Sequence, residues 1–110
     1  EQSDVTGVSG LWVECRDGVA DMSRTKLEQA EGDVYRAQSS ALPIAVCHRS
    51  RSPMDSTLVY LRLSDLLVIL GGDDERDQVG AVVSMRLVEF LEVARGYVRQ
   101  VWLDNERQSD

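Results

Sequence analysis

The sequence predicts a single α/β (α+β) domain with a small mixed sheet, flanking helices and a long C-terminal helix. A strand pattern at Leu11–Arg16, a helical pattern and a nearly continuous apolar run at Ile44–His48 follow one another, which is the order of a strand–helix–strand crossover with parallel strands. An alternating strand pattern follows, and a long apolar helical stripe closes the chain. A chain of 110 residues is long enough for one core and too short for two.

The first elements are defined by glycines and by apolar spacing. Residues 5–10 predict a turn or a short extended piece, and the strand Leu11–Arg16 follows it. A helix is expected from Asp21 or Ser23 to about Ser40, because its apolar residues recur every three or four positions: Leu27, Ala30, Val34, Ala37 and Ala41.

The middle of the chain predicts two more strands and a short helix. The run Ile44–His48 is apolar enough to be covered on both faces, as in a parallel sheet. Thr57–Leu63 alternates between apolar and mixed positions, so it is expected to form a hairpin with the previous strand across the polar loop Arg49–Asp55. Ser64 is expected to cap a short helix, Asp65–Leu70, which two glycines end.

The C-terminal third predicts a charged linker, Asp73–Gln78, and a helix from about Val79 to Leu103. Residues 1–72 then form the core, and residues 73–110 form the linker and a helix that packs on the core or on a dimer partner. A helix of about 25 residues is about 37 Å long, which exceeds what a small sheet covers. Part of its apolar stripe is therefore expected to bury against a second copy. The whole stripe consists of Val83, Leu87, Phe90, Leu91, Ala94, Tyr97, Val98, Val101 and Trp102.

Composition limits the function. Hydrophobic residues make up 43% of the chain, and no segment reaches the roughly 18 uninterrupted apolar residues of a membrane span. The net charge of -7 argues against broad nonspecific DNA affinity, although it leaves room for a local basic face. Cys15 and Cys47 lie in apolar runs and are expected to be buried, reduced thiols in a reducing cytosol.

A group of charged residues near the start of the chain carries the strongest chemical hypothesis. Side chains on a strand alternate, so Glu14 and Arg16 share a face, and Asp4 precedes the strand. Two carboxylates at one spot suit a hard divalent cation, and such an ion activates water and stabilises charge on a phosphate. The alternative is a solvated acidic turn beside a strand whose Glu14–Arg16 face is exposed.

Several segments of the chain resemble the PD-(D/E)XK nuclease superfamily, and most of all its phage-encoded, Holliday-junction-resolvase-like members. The likeness covers about Asp4 to Leu70 and rests on five segments: Ser3–Val5, Leu11–Arg16, Leu27–Glu31, Leu42–Val46 and Leu61–Leu66. It implies a Mg²⁺- or Mn²⁺-dependent endonuclease, a hydrolase that acts on duplex or branched DNA as a homodimer. It also implies a phage-encoded protein in the cytoplasm of a bacterial host cell.

The resemblance assigns roles to particular residues. Asp4 and Glu14 would bind the metal ion, with the backbone carbonyl of Cys15 as a further ligand. Arg16 would take the position of the family's lysine, and Gln29 that of a helix glutamine that points into the site. Arginine stays protonated, so it can hold a phosphate but cannot accept a proton.

Two other hypotheses remain open. One is a catalytically inactive protein on the same scaffold that acts as a DNA- or protein-binding regulatory dimer, and the other is a dimerisation module whose working surface is the long helix. His48 is expected to be structural or exposed rather than catalytic. Three arginines form either a small basic edge for phosphates or part of an ordinary solvated surface: Arg49, Arg51 and Arg62.

Overall fold

A computed structural model describes residues 8–17, 23–49, 51–72 and 80–108. These residues form four strands and three α-helices, and a 3₁₀ turn precedes the third strand. In chain order they are β1 (Leu11–Asp17), α1 (Ser23–Arg36), β2 (Leu42–His48), the 3₁₀ turn (Met54–Ser56), β3 (Leu58–Arg62), α2 (Leu63–Ile69), β4 (Val82–Arg86) and α3 (Leu87–Gln108).

The four strands form one mixed sheet in the order β1-β2-β3-β4. Strand β1 runs parallel to β2, with Glu14 opposite Ala45 and Arg16 opposite Cys47. Strands β2, β3 and β4 pair antiparallel. The predicted fold class is confirmed, and so are the parallel β1–β2 pair and the β2–β3 hairpin.

The two faces of the sheet are covered by different helices. Helices α2 and α3 cover one face, and the core there consists of nine buried side chains: Leu11, Val13, Leu42, Ile44, Val59, Leu61, Ile69, Phe90 and Ala94. Helix α1 packs on β1, β2 and β3 from the other side, where Leu27, Ala30 and Ala45 are fully buried. Strand β4 thus belongs to the same sheet as β1, β2 and β3, and α3 contributes Phe90 and Ala94 to the same core.

The turn before β1 is held against α3 by a glycine. Gly10 has φ of +82°, a left-handed conformation that favours glycine. A Cβ atom at this position would lie 2.8 Å from Tyr97 Cε2 and 2.9 Å from Val101 Cγ2. The close approach of β1 to α3 therefore requires a residue without a side chain.

Helix α1 ends four residues earlier than the expected Ser40. Gln38 adopts φ of +53°, and the Ser39 N–H donates to the Val34 carbonyl at 3.0 Å. This is the hydrogen-bond pattern of a left-handed C-cap, here formed without glycine. The expectation failed because no glycine or proline marks the end of this helix.

Helix α2 begins directly after β3, so the expected capping role of Ser64 is wrong. Arg62 occupies the N-cap without a side-chain hydrogen bond, and Ser64 lies inside the helix. The Leu63 N–H donates instead to the Ala81 carbonyl at 2.7 Å. The predicted glycine stop is confirmed, since Gly71 has φ of +94°.

The largest error of the sequence prediction is at β4, because residues 82–86 were expected to be helical. Val83 and Met85 pack against the core, and Val82, Ser84 and Arg86 point to the other face. The strand passes into α3 without a loop, and the Leu87 N–H donates to the Thr57 carbonyl at 2.8 Å. Since neither glycine nor proline separates strand from helix, the apolar spacing of α3 continues without a break into β4.

The expectation that both cysteines are buried is wrong for Cys15. Cys15 is exposed near the end of β1, and Cys47 is half-buried on β2. Cys47 lies opposite Arg16 in the β1–β2 register, whereas Cys15 is on the alternate face of β1. The two thiols therefore point to opposite faces of the sheet and do not form a disulfide with each other.

Among the described residues, no helix is both long enough and apolar enough to cross a membrane. The predicted charged linker, Asp73–Gln78, lies outside the described residues.

Candidate functional site

The face of β1 beneath α1 carries Trp12, Glu14 and Arg16 in a row, as strand alternation predicts. Glu14 is only 2% exposed, and the Trp12 indole Nε1 donates to its Oε1 at 3.4 Å. The alternative of an exposed Glu14–Arg16 face is therefore wrong for Glu14. A carboxylate so deeply covered must be compensated by hydrogen bonds or by positive charge.

Arg16 is the least satisfied polar group of this row. Its side chain is half-buried, and within the described residues its Nε atom is buried without a hydrogen-bond partner. Leaving a buried donor unsatisfied costs about 1–3 kcal/mol, and more when the group is charged. An oxygen atom of a bound anion would satisfy this donor.

The surroundings of Cys47 show that positive charge gathers at this place. Burial raises the pKa of the Cys47 thiol, and the Arg16 guanidinium and the Lys26 ammonium group act in the opposite direction. The neighbouring Cys15 thiol raises it further. Two cations from different elements, β1 and α1, are therefore close enough to the same thiol to influence its ionisation.

Gln29 lies on an exposed part of α1. Its carboxamide Oε1 accepts a hydrogen bond from Lys26 Nζ at 3.3 Å. Gln29 is thus connected to the cationic region through Lys26, while its predicted direct role in the site stays a prediction.

The proposed metal ligands are only partly placed. Asp4 lies outside the described residues, so its approach to Glu14 stays a prediction. Cys15, whose backbone carbonyl the resemblance implies as a further metal ligand, lies in β1 directly after Glu14. In residues 8–17, 23–49, 51–72 and 80–108, no three His, Cys, Asp or Glu side chains are grouped to hold a metal ion. The donor set fits Mg²⁺ only if Asp4 supplies the second carboxylate.

The carboxyl ends of β1 and β2 are connected by His48. Its Nε2 donates to the Ser52 carbonyl at 2.9 Å, and its Nδ1 lies 3.3 Å from Asp17 Oδ1. These contacts link both parallel strands to the loop after β2, which supports the structural role expected for His48. In α/β sheets, ligands bind outside the carboxyl ends of parallel strands, and Arg16 and Cys47 lie at that end.

An ion pair that sequence analysis missed fastens α1 to the sheet. Arg62 Nε lies 2.8 Å from Glu31 Oε2, and Arg62 Nη2 lies 3.0 Å from Glu31 Oε1. Arg62 Nη1 also donates to the Gly80 carbonyl at 2.9 Å, and the hydrogen bond with Glu31 is the main reason that the pKa of Arg62 is raised. Arg62 is therefore engaged within the chain and is not part of an open basic edge. No sequence signal identified Glu31 as the partner of Arg62.

A groove runs between α3 and the start of β1, on the opposite face of the sheet. Its volume is about 510 Å³, and its walls are mostly apolar: Val8, Leu11, Leu91, Ala94, Val98 and Trp102. Leu91 is 57% exposed and Trp102 is 52% exposed, so α3 carries apolar surface that this chain leaves open to solvent. The prediction that the sheet cannot cover the whole apolar stripe is confirmed.

Comparison with known proteins gives no match to a protein-family model, to a curated protein or to a solved structure.

Proposed function

We propose that this protein is a metal-dependent phosphodiester hydrolase of the resolvase-like type, which acts on DNA as a homodimer in a bacterial host cell and is phage-encoded. The main support is Arg16: its buried Nε lacks a partner within the described residues, and it lies two positions after the buried Glu14 on the same strand face. The β1-α1-β2-β3 order, with its parallel first pair, fits the scaffold that the family resemblance implies.

In this proposal each residue of the site has a separate role. Glu14 and Asp4 would hold the divalent cation, and the bound ion would supply an activated water and offset charge on the phosphate. The guanidinium of Arg16 donates to a phosphate oxygen and stays protonated throughout. Lys26 adds positive charge beside the site. Water attacks phosphorus, one P–O ester bond breaks, and a phosphomonoester and an alcohol leave.

The acidic total charge is compatible with this activity if the interaction with DNA is local. A net charge of -7 disfavours long-range attraction to a phosphate backbone, so binding should depend on a few contacts near Arg16 and Lys26. We expect a shallow salt dependence of binding, because few counterions are released when few phosphates are neutralised.

The test is cleavage and binding of a labelled four-way junction and a matched duplex, with Mg²⁺ or Mn²⁺. We expect the native protein to cleave at least one substrate, and Glu14→Gln, which keeps the shape of the side chain, to lose activity by at least about a hundredfold. Arg16→Ala should weaken binding by about tenfold, since it removes a charged hydrogen-bond donor. Arg107→Ala, at the exposed end of α3, is the matched control for loss of an arginine.

The outcome separates the two candidate functions. Absence of both binding and cleavage at millimolar metal concentration would overturn the proposal. Binding without cleavage would favour the second candidate, an inactive regulatory protein on the same scaffold.

That second candidate has its own support. Glu14 is 2% exposed and accepts a hydrogen bond from Trp12, and Arg16 cannot serve as a proton acceptor. If Arg16→Lys produces cleavage where the native protein has none, the chain is an inactive relative that retained the binding surface.

A further inference from the structure

One side of α3 carries an exposed apolar stripe, formed by Val88, Leu91, Val98 and Trp102. Val88, Leu91 and Trp102 are 46%, 57% and 52% exposed, respectively, and Val98 is half-buried. Their spacing of three, seven and four residues places them on one side of a helix. At 1.5 Å per residue the stripe is about 21 Å long, and it adjoins the groove lined by Val8 and Leu11.

One acidic and one basic residue lie on the same edge of this stripe. Glu92 and Arg99 are seven residues apart, about two helical turns, so they lie on the same edge of the stripe. Arg95, which lies within the stripe, pairs with Glu92 at 3.2 Å and is thereby partly neutralised. Glu92 and Arg99 are therefore equally distant from the point between Arg95 and Gly96.

We propose that α3 packs antiparallel against α3 of a second copy, with the two-fold axis between Arg95 and Gly96. In this arrangement Glu92 of each copy faces Arg99 of the other, which gives two equivalent ion pairs. Trp102 of each copy lies next to Val88 of the other, and the apolar stripe is covered along its length. Such an interface is isologous, because the same surface serves on both sides.

The charge pattern is the reason to choose a second copy as the occupant. A parallel arrangement in register would set Glu92 against Glu92 and Arg99 against Arg99, whereas the antiparallel two-fold sets each Glu92 beside an Arg99. The two Arg95 side chains come close to each other at the axis, and each keeps Glu92 of its own chain as a partner. An unrelated helix would meet the apolar stripe equally well, but nothing would relate its charges to the point between Arg95 and Gly96.

The inference deepens the homodimer part of the proposed function by naming its surface. Helix α3 covers one face of the sheet, whereas Glu14 and Arg16 lie beneath α1 on the other face. Pairing through α3 would therefore place no part of the second copy over either candidate phosphate site. Self-association is measured without DNA or metal. A chain that does not dimerise would therefore contradict this inference, while the hydrolase proposal would still be decided by the cleavage and binding experiment.

The experiment is sedimentation equilibrium of the full chain over a range of concentrations, with far-UV circular dichroism of each variant. We expect a dimer for the native chain. Glu92→Arg and Arg99→Glu should each raise the dimer dissociation constant several-fold, and the two reversals combined should restore it. Trp102→Glu should raise it at least tenfold by placing a carboxylate in the apolar contact. Arg107→Glu, a reversal outside the stripe, should leave it unchanged.

Two results would overturn the inference. One is a native chain that stays monomeric up to about millimolar concentration. The other is a dimer whose dissociation constant does not respond to Trp102→Glu or to the charge reversals. If Trp102→Glu unfolds the chain, Leu91→Gln replaces it, and a native-like dissociation constant for that folded variant would likewise contradict the proposed surface.

Discussion

At the residue scale, the most consequential feature is the uneven satisfaction of the charged groups beneath α1. Arg62 makes two hydrogen bonds to Glu31 and a third to the Gly80 carbonyl, whereas the Nε atom of Arg16 has no partner within the described residues. Both arginines lie on the same face of the sheet. Arg62 therefore has a structural role, whereas Arg16 has an N–H donor that a ligand can accept from.

The influence of Arg16 on Cys47 gives a pH-dependent prediction. In a Cys15→Ser background, Arg16→Gln should move the midpoint of Cys47 alkylation by iodoacetamide to higher pH, because one of the two cations that lower the thiol pKa is lost. The measurement is the alkylation rate against pH. Arg24→Gln, an exposed change on α1, should leave the midpoint in place.

The same raised pKa fixes the sign of a stability change. The folded state keeps the Cys47 proton to a higher pH than the unfolded chain does, so the unfolded state binds fewer protons above the ordinary thiol pKa. The contribution of this group to stability is therefore complete below that pKa and falls as the pH rises through the window between the unfolded and folded values. An increase in that contribution over this window would contradict the assignment.

Removal of Arg62 should reveal the strength of its ion pair with Glu31. We expect Arg62→Ala to lower the free energy of unfolding by about 2–3 kcal/mol, because it removes three hydrogen bonds from a charged donor and leaves Glu31 without this partner. Urea unfolding provides the measurement. A double-mutant cycle with Glu31→Gln should show a clearly nonzero coupling energy, whereas independent effects of the two changes would rule out the pairing.

At the element scale, each helix is held in place by contacts that can be named. Helix α1 is fastened to the sheet by Glu31 and Arg62, and α2 and α3 begin directly where a strand ends. Helix α3 is also held at its middle, because Gly10 permits close contact with Tyr97 and Val101. These contacts fix which side of α3 faces the core and which side carries the exposed stripe.

Two glycines of the α3 region should respond oppositely to alanine. A Cβ atom at Gly96 would meet nothing within 4 Å, so Gly96→Ala should raise the free energy of unfolding by about 0.5–1 kcal/mol through helix propensity. Gly10→Ala should lower it, because φ of +82° is strained for alanine and Tyr97 lies 2.8 Å from the new atom. Urea unfolding of both variants tests this, and equal effects would contradict the described packing.

At the scale of the whole molecule, the sheet separates two surfaces with different chemistry. The α1 side carries the covered row with Glu14 and Arg16, and the α3 side carries the apolar stripe and the groove. The molecule measures 45 × 28 × 27 Å, and a helix of 22 residues such as α3 is about 33 Å long. A single layer of strands therefore allows a ligand on one side and a second copy on the other.

Much of this architecture could be predicted because hydrophobic periodicity is a local property. The alternation in β1 placed Glu14 and Arg16 on one face, and the apolar run of β2 indicated its parallel pairing with β1. Strand β4 was missed because five alternating residues precede a long helix without a breaker. The burial of Glu14 and the Arg62–Glu31 pair depend on where α1 settles, which no local pattern contains. The meeting of Asp4 with Glu14 lies outside the described residues.

The direct passage from β4 into α3 has a consequence for how this chain can change length. No loop residue separates Arg86 from Leu87, so there is nothing to absorb an insertion at that junction. One added residue would turn every later position by about 100° around the helix axis. Phe90 would leave the core, and the side chains that now face outward would be turned by the same angle. Descendants of this sequence should therefore accept substitutions at the junction far more readily than they accept a gained or lost residue.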